Sequence, residues 1–437
     1  MIDTDTLFAP ATGFGRSAVA VLRLSGPAAR DALLALAGPL PPPRRLSLRT
    51  LRDPTGGAEL DRALVAWFPG PGTYTGEDMA ELHLHGGPAV RMGVLAALAA
   101  IPGCRAAGPG AFTRRAVLNG RMDLAEAEAV ADLIDAETEA QRRQALRQLD
   151  GELSRQVAAW RAEAIDCLAA AEAALDFADE GDVDDAGLDA ALFGRAAILR
   201  NDIATALRDG RRGERLRDGF TVVLAGAPNA GKSTLLNALS RREAAIVSDL
   251  PGTTRDAIEV RLDLGGLPVL LVDTAGLRDT AEPVEVEGIA RTRARIADAD
   301  LVLLLVPPEG TRPDLDAGAA PTVTVSTKAD LFAGSHHAEL AVSARTGAGL
   351  EALLDAIQAA AETGLGAGDA LITRARHRAA LEACLAHLDR LQAGAGTLPE
   401  LAAEDLRLAV RALGEVGGHV GVEDVLDRLF AGFCIGK

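Results

Sequence analysis

An apolar run, Phe220 to Ala225, empties directly into Gly226, Ala227, Pro228, Asn229, Ala230, Gly231, Lys232 and Ser233. This is the G-x-x-x-x-G-K-S pattern in the setting that gives it mechanical meaning, a strand before it and a helix after. Its glycines let backbone N–H groups close around phosphates at a helix N-terminus. Lys232 reaches the β and γ phosphates, Ser233 offers its hydroxyl to Mg²⁺, and Thr234 completes the phosphate-binding set. Taken alone, the octet also has a plainer reading as a tight turn.

A phosphate loop of this kind belongs in a layered α/β frame, and the surrounding pattern supplies one. Between about Arg215 and Glu362, short apolar runs alternate with helical stretches: Thr221 to Ala225, Val269 to Val272, Leu301 to Val306 and Thr322 to Val325. That alternation predicts a mostly parallel sheet with helices on both faces. Ile258 to Leu264 and Pro268 to Asp273, joined by Gly265 and Gly266, read as a hairpin that sets one antiparallel strand at the sheet edge. Pro307 to Ala320 is rich in Pro and Gly and short for a crossover helix, so a trimmed or irregular connection is expected there.

On either side the character changes. From Met1 to about Val117, short apolar segments such as Ala18 to Leu24 and Ala63 to Phe68 are separated by Pro and Gly clusters, which reads as a mixed α/β domain. From Asp123 to about Leu207 the chain turns to Ala, Leu, Glu and Arg with apolar residues at helical spacing (Leu124, Val130, Leu133, Ile134), which predicts long packed helices. The acidic stretch Asp176 to Asp185 reads as a solvated loop between them. The helical pattern returns after Gly368, with Leu381, Leu385 and Leu388, then Leu406, Val410 and Leu413. The expected division is therefore 1–118, 119–214, 215–364 and 365–437, the third segment inserted into a helical domain formed by the second and fourth.

The chain's 437 residues exceed what one core usually organises. A formal net charge of −17 argues against a broad grip on a polyanion, so any nucleic acid must be met by a local Arg patch or by a partner's basic surface. Among 45 Lys and Arg residues only Lys232, Lys328 and Lys437 are lysine, and two of these three fall in nucleotide motifs that call for a compact ammonium. No run of about eighteen or more apolar residues occurs, and Met1 to Asp5 lacks the basic-then-apolar start of a secretory signal. A soluble, cytoplasmic protein without a membrane partner is expected. Cys104, Cys167, Cys384 and Cys434 lie too far apart in sequence to indicate a zinc site or a disulfide framework.

Further elements follow the phosphate loop in order. Gly252, Thr253, Thr254, Arg255 and Asp256 form a polar loop able to bring the Thr254 hydroxyl to the metal. Asp273, Thr274, Ala275 and Gly276 end an apolar strand, where a magnesium-associated carboxylate and a γ-phosphate-sensing glycine belong. Thr327, Lys328, Ala329 and Asp330 follow the Thr322 to Val325 strand. Asp330 can accept from guanine N1 and its exocyclic amine, a donor pair adenine lacks, and so selects GTP over ATP. Ser343, Ala344 and Arg345 add a loop near the base. Each element alone reads as an ordinary turn; the five in this order and spacing do not. Leu277 stands where a Ras-type enzyme carries its water-orienting glutamine. Glu285 and Glu287 are candidates for that task, with a solvated helix face as the plainer reading.

Beyond these generic elements the sequence closely resembles the MnmE (TrmE) family of tRNA modification GTPases over nearly its whole length. The resemblance is carried by Gly15 and Arg16 through Arg23, Leu24, Ser25 and Gly26; by Thr75 to Asp78 with His85 to Pro88; by Phe112 to Gly120; by Leu124 to Ala129; and by the terminal Cys434, Ile435, Gly436 and Lys437. It implies a Ras-like P-loop G domain inserted into a helical domain and preceded by an α/β folate-binding dimerisation domain. It also implies a homodimer that works with a MnmG-type, FAD- and NADH-dependent partner, as a heterotetramer, to install an aminomethyl-type (carboxymethylaminomethyl) group at C5 of the tRNA wobble uridine.

The same resemblance implies G domains that pair across a potassium ion, with Asn229, Ser248, Leu250 and Thr253 as its ligands and Glu285 as the water-positioning residue. Arg23, Glu81, Arg121 and Lys437 correspond to contacts with 5-formyltetrahydrofolate or a related folate, Arg121 standing where the family often has Lys. Cys434 matches the tail cysteine. Thr327 replaces the usual Asn, whose amide contacts the purine and braces the phosphate loop, so weaker GTP affinity is expected. His83 and His85 share one face of a strand; with no third ligand in view, structural or folate-adjacent roles are favoured over metal binding. Two other functions compete with tRNA modification: a regulatory GTPase switch in ribosome assembly or stress signalling, and a folate sensor that uses GTP only for dimer control. A pure switch has no need of the N-terminal motifs or the Cys434 to Lys437 tail.

Overall fold

The structure, a computed structural model, describes residues 5–177, 190–227, 229–242, 244–246, 259–273, 295–308, 320–331, 338–366, 370–394, 399–418, 426, 429–430 and 432–436. Its contacts divide the chain into two units, Met1–Ala131 with Gly414–Lys437, and Asp132–Leu413.

In the first unit, residues alternate along Ser17–Ser25 so that Ala20, Leu22 and Leu24 are buried while Val19, Val21 and Arg23 take the other face, the period of a strand. The six strands are β1 (Thr6–Pro10), β2 (Ser17–Ser25), β3 (Ser47–Arg52), β4 (Glu59–Phe68), β5 (Met79–Gly86) and β6 (Cys104–Ala106), in the order β3-β4-β5-β2-β1-β6. All pairings are antiparallel except β1 with β6. Helices α1 (Ala29–Ala37) and α2 (Pro88–Ala99) cover the apolar face, where Leu33, Leu36, Val94 and Leu98 pack with Leu22, Leu82 and Trp67. Pro88 at the first turn of α2 fits, because that position needs no N–H donor. After α3 (Ala111–Leu118), the start of α4 (Leu124–Asp135) packs Leu124 and Ala127 against Leu426, Phe430 and Phe433 of the C-terminal segment.

The second unit joins helices to a second six-stranded sheet. Helix α5 (Glu139–Leu149) begins at a reciprocal cap, in which Thr138 Oγ1 accepts from Gln141 N and Gln141 Oε1 accepts from Thr138 N. Helices α6 (Glu152–Phe177) and α7 (Ala190–Asp218) follow, and α7 passes through Gly219 directly into β7 (Phe220–Gly226). With α8 (Lys232–Leu239), β8 (Glu259–Leu264), β9 (Leu267–Asp273), β10 (Leu301–Val306), β11 (Thr322–Ser326) and β12 (Leu340–Ala341), the sheet order is β12-β11-β10-β7-β9-β8. Every pairing is parallel except the β8–β9 hairpin at the edge, as its sequence pattern requires. Helices α9 (Leu350–Leu365), α10 (Ala375–Ala393) and α11 (Pro399–Gly417) complete the chain's order.

The helices meet the segment that carries this sheet at several places, among them Ala140 N to Gly266 O (3.1 Å) and Arg261 with Glu137 (3.1 Å). A Cβ on Gly213 would lie 2.1 Å from the Ile372 carbonyl oxygen, so α7 and the segment before α10 touch backbone to backbone. Gln144 Nε2 donates to Gly213 O (3.3 Å), Gln148 Nε2 to Leu371 O (2.7 Å) and Arg378 Nε to Glu214 (2.9 Å). Beside them the Asp132 carboxylate receives Arg217 at 2.9 Å and Arg374 at 2.5 Å.

Two expectations need adjustment. The acidic stretch does not begin as a loop at Asp176, because α6 runs to Phe177 and carries Asp176 in its last turn; 178–189 lie outside the described residues. The strand that feeds the phosphate loop is longer than its apolar core, since Gly226 still pairs with Leu305. The Pro307 to Ala320 connection falls mostly on 309–319, outside the described residues. Among the described residues no helix is long and apolar enough to cross a membrane.

Candidate functional site

The phosphate loop is fixed from both ends. Gly226, φ +153°, lies so close to the neighbouring strand that a Cβ would sit 2.6 Å from Leu305 O, and Gly231, φ +93°, opens α8 in the left-handed region. Asn229 between them also takes a left-handed conformation, φ +63°. Lys232 is buried, and its ammonium donates to Gly226 O at 2.9 Å and Ala227 O at 3.1 Å, which holds the positive charge over the loop. Ser233 is half-buried and donates its hydroxyl to Asp273 Oδ2 at 2.6 Å; Thr234 is exposed. The contact arises because β7 and β9 run in parallel register with Leu224 opposite Asp273, which brings the fully buried carboxylate level with the start of α8.

Thr327, just past the C-terminal end of β11 on the same edge of the parallel sheet, reaches the same loop. Its hydroxyl donates to Ala230 O at 2.7 Å, with Thr327 only 4% exposed. The bracing function expected to be lost with Asn is therefore present in another form: a β-branched hydroxyl spans the gap to the loop carbonyl. Lys328 follows in the left-handed region, φ +53°. Asp330 Oδ1 accepts from Ser343 Oγ at 2.6 Å, and Oδ2 accepts from Arg345 Nε and Nη2, each at 2.9 Å. The Ser343 hydrogen bond foremost, then that of Arg345, holds the Asp330 carboxyl below the usual carboxylate range, so it stays an anionic acceptor at neutral pH. Ala344 sits on the turn between these two donors. The direct clasp of Arg345 on Asp330 was not anticipated from sequence, and adjacency in a loop is the only signal that pointed to it.

Several candidate positions lie outside the described residues: Ser248, Leu250, Thr253 and Thr254 in the polar loop; Thr274, Ala275 and Gly276 after β9; Glu285 and Glu287; and Lys437.

In the first unit β2 and β5 bring Arg23 opposite Glu81. Arg23 Nε and Nη2 both meet Glu81 Oε1, at 3.2 and 3.1 Å, and the guanidinium carbon lies 5.7 Å from the centre of the Tyr74 ring. Tyr74 is the chain's only tyrosine, a signal that sequence reading passed over. Burial pushes its phenol up, against the opposing hydrogen bond to Thr113 and the charge of Arg23. His83 Nε2 lies 3.4 Å from Glu81 Oε2 without a hydrogen bond, whereas His85 Nδ1 pairs with Asp61 at 2.7 Å. The two histidines thus engage different carboxylates. Arg121 Nε donates to Thr73 O at 3.2 Å, and Ser25, Thr75 and Glu77 form a hydrogen-bonded set ending on buried Arg115. The tail joins this unit: Ile435 bridges Pro109, Cys434 O accepts from Gly110 N, and a Cβ on Gly436 would lie 1.9 Å from Pro10 O. The Cys434 residue is exposed, on a tail that is bound rather than frayed.

Two family models match the chain: the GTP-binding protein TrmE N-terminus over residues 6–121 and the MnmE helical domain over residues 124–434. Curated relatives described as tRNA modification GTPase MnmE match throughout. That of Methylobacterium radiotolerans is 81% identical over 441 aligned positions and 100% of both chains. That of Methylorubrum populi is 72% identical over 99% of this chain and 98% of the relative, and that of Azorhizobium caulinodans 54% over 99% of each. Among solved structures, the G domain of the T. maritima FeoB iron transporter aligns with a TM-score of 0.25 and 28% identity, covering 32% of this chain and 98% of that one.

Proposed function

Because the chain belongs to the MnmE family of tRNA modification GTPases, we propose that its GTP hydrolysis drives a wobble-uridine modification. A MnmG-type, FAD- and NADH-dependent partner acts with it to install a carboxymethylaminomethyl-type group at C5. The observation that supports this most directly is the Ser233–Asp273 contact of 2.6 Å beside the loop-bound Lys232 ammonium. Two oxygen donors converge where a hard divalent cation is wanted, and that donor set fits Mg²⁺. With Thr254 they would hold the ion, which when bound neutralises charge on the β and γ phosphates.

Lys232 exchanges its two loop carbonyls for phosphate oxygens. The N–H groups of Ala230, Gly231, Ser233 and Thr234 close on the nucleotide, while Thr274, Ala275 and Gly276 meet the γ end. Asp330, kept anionic by Ser343 and Arg345, takes the guanine donors, with Ala344 on the purine's other edge. Thr327 and Lys328 flank the base. Asn229, Ser248, Leu250 and Thr253 would form the potassium site, whose charge complements the transferring phosphoryl group, and Glu285 orients the attacking water. Pairing of G domains in a cytoplasmic homodimer completes that arrangement.

The first unit fits a folate in its chemistry. Glu81 is a carboxylate acceptor suited to the amino-substituted pterin ring, Arg23 beside it is a donor suited to that ring's carbonyl oxygen, and Arg121 and Lys437 supply cations for the carboxylates of the tail. The bound folate supplies the one-carbon unit. Cys434 is kept with this unit by the Ile435–Pro109 bridge.

The test is steady-state GTP hydrolysis with Mg²⁺ in potassium chloride against sodium chloride at equal ionic strength, for the wild type and Glu285→Ala. Strong potassium stimulation that disappears in the variant supports the reading. Equal rates in the two salts would remove the potassium site and leave the regulatory-switch function in its place.

A further inference from the structure

Away from the phosphate loop, the second unit encloses a cavity of about 360 Å³, within the range of roughly 300–1,000 Å³ in which small-molecule sites fall. One stripe of α5 forms a wall, facing the end of α7, the start of β9 and the end of α9. The lining is divided by chemistry. Ala140, Leu216, Leu267 and Leu365 provide an apolar floor, and Arg143, Arg147 and Arg212 bring three guanidinium groups, which have Glu139, Glu152 and Asp209 within 3.9 Å, 2.7 Å and 3.5 Å.

The cations are held in place. Arg147 forms a two-bond pair with Glu152 at 2.7 Å each, and Arg212 Nε donates to Leu365 O at 2.7 Å. Arg143 lies on the rim, its side chain 69% exposed and 3.9 Å from Glu139. One polar group of the wall is incomplete. Gln148, 5% exposed, donates Nε2 to Leu371 O, and its Oε1 has no hydrogen-bond partner. Such an orphaned amide oxygen destabilises the buried wall unless a donor meets it. A water would satisfy Gln148 but has no use for the apolar floor or the guanidinium rim.

We propose that this cavity binds a nucleotide unit, distinct from the GTP site. The planar base lies on the apolar floor and turns an N–H donor toward Gln148, while its phosphate is taken by the guanidinium rim. A free mononucleotide and a nucleotide within an RNA chain share this chemistry. Because the cavity borders the start of β9, the strand that ends at Asp273, its occupant touches the same strand that carries the magnesium-side carboxylate.

The test is isothermal titration of the full chain, its GTP site saturated with Mg²⁺ and GDP. The probes are UMP, uridine, inorganic phosphate and an oligouridylate. UMP should bind once per chain, with uridine and phosphate each about ten-fold weaker or more. Arg143→Glu, at an exposed position, should weaken UMP about five-fold or more with an unchanged melting temperature; Arg143→Gln serves if the reversal does not fold. Oligouridylate binding that depends on Arg143 and outcompetes UMP assigns the source to RNA, while UMP binding without it assigns a free nucleotide. Binding indifferent to Arg143→Glu, uridine as tight as UMP, or no binding by either nucleotide form overturns the proposal.

Discussion

Thr327→Val removes one hydroxyl and keeps the branched shape, which isolates the bond that ties β11 to the phosphate loop. That hydroxyl donates to Ala230 O at 2.7 Å, between residues 4% and 0% exposed. A buried hydrogen bond contributes about 0.5–1.5 kcal/mol, and an acceptor left without a donor costs about 1–3 kcal/mol. Holding the loop in its nucleotide-binding shape should therefore become harder by about 1–2 kcal/mol, a loss of about 5- to 30-fold in GDP and GTP affinity. Guanine selectivity should not change, because Asp330 is positioned by Ser343 and Arg345. Stopped-flow binding of a fluorescent guanine nucleotide reads both quantities, with the change expected in dissociation rate. Affinity within about two-fold of wild type would refute the bracing argument. Thr327→Asn should tighten binding, and by no more than about ten-fold, since only the purine contact is new; no change would sink that expectation.

Asp132→Ala removes a shared carboxylate from Arg374 and Arg217, whose side chains are 15% and 33% exposed, while Arg217 keeps Asp218 at 2.9 Å. Breaking a fully buried pair costs about 3–5 kcal/mol, and the partial exposure together with the remaining partner reduces the expected loss to about 1–2 kcal/mol in a urea unfolding series; a shift below about 0.5 kcal/mol would contradict it. The cysteines divide by burial: desolvation pushes the Cys384 thiol up to about 12 and also raises Cys167 and Cys104. A raised pKa keeps the unreactive thiol form below it. At pH 8 iodoacetamide should modify Cys434 in the native protein and reach Cys384 only after denaturation or as the pH climbs toward 12. Mass spectrometry showing native Cys384 modified as fast as Cys434 at pH 8 would count against this.

The nucleotide elements were legible because their chemistry ties named residues to fixed spacings: a glycine where no Cβ fits, a lysine and hydroxyl at a helix start, a carboxylate at a strand end. The β8–β9 hairpin was legible from Gly265 and Gly266, whose φ values of +63° and +84° suit a tight turn. The Thr327 brace was not legible because comparison with Asn identifies what is missing and cannot show that a shorter side chain reaches the same loop. The pairing of Ile435 with Pro109 and the orphaned Gln148 oxygen depend on register between distant segments, which no local pattern encodes. The Arg23–Tyr74 contact was hidden for the same reason.

The meeting of Gly213 with Ile372 governs how force passes through the second unit. The polypeptide leaves the helices near Gly213 and comes back to them near Ile372, so the two ends of the intervening segment are anchored together. Ends anchored together cannot be pulled apart. Ala140 N also donates to Gly266 O at 3.1 Å and Arg261 pairs with Glu137 at 3.1 Å, so α5 holds the β8–β9 hairpin as well, and a displacement of α5 is passed to the strand that ends at Asp273. Closure entropy rises only slowly with loop length, so paired ends of this kind tolerate an intervening segment of very different size.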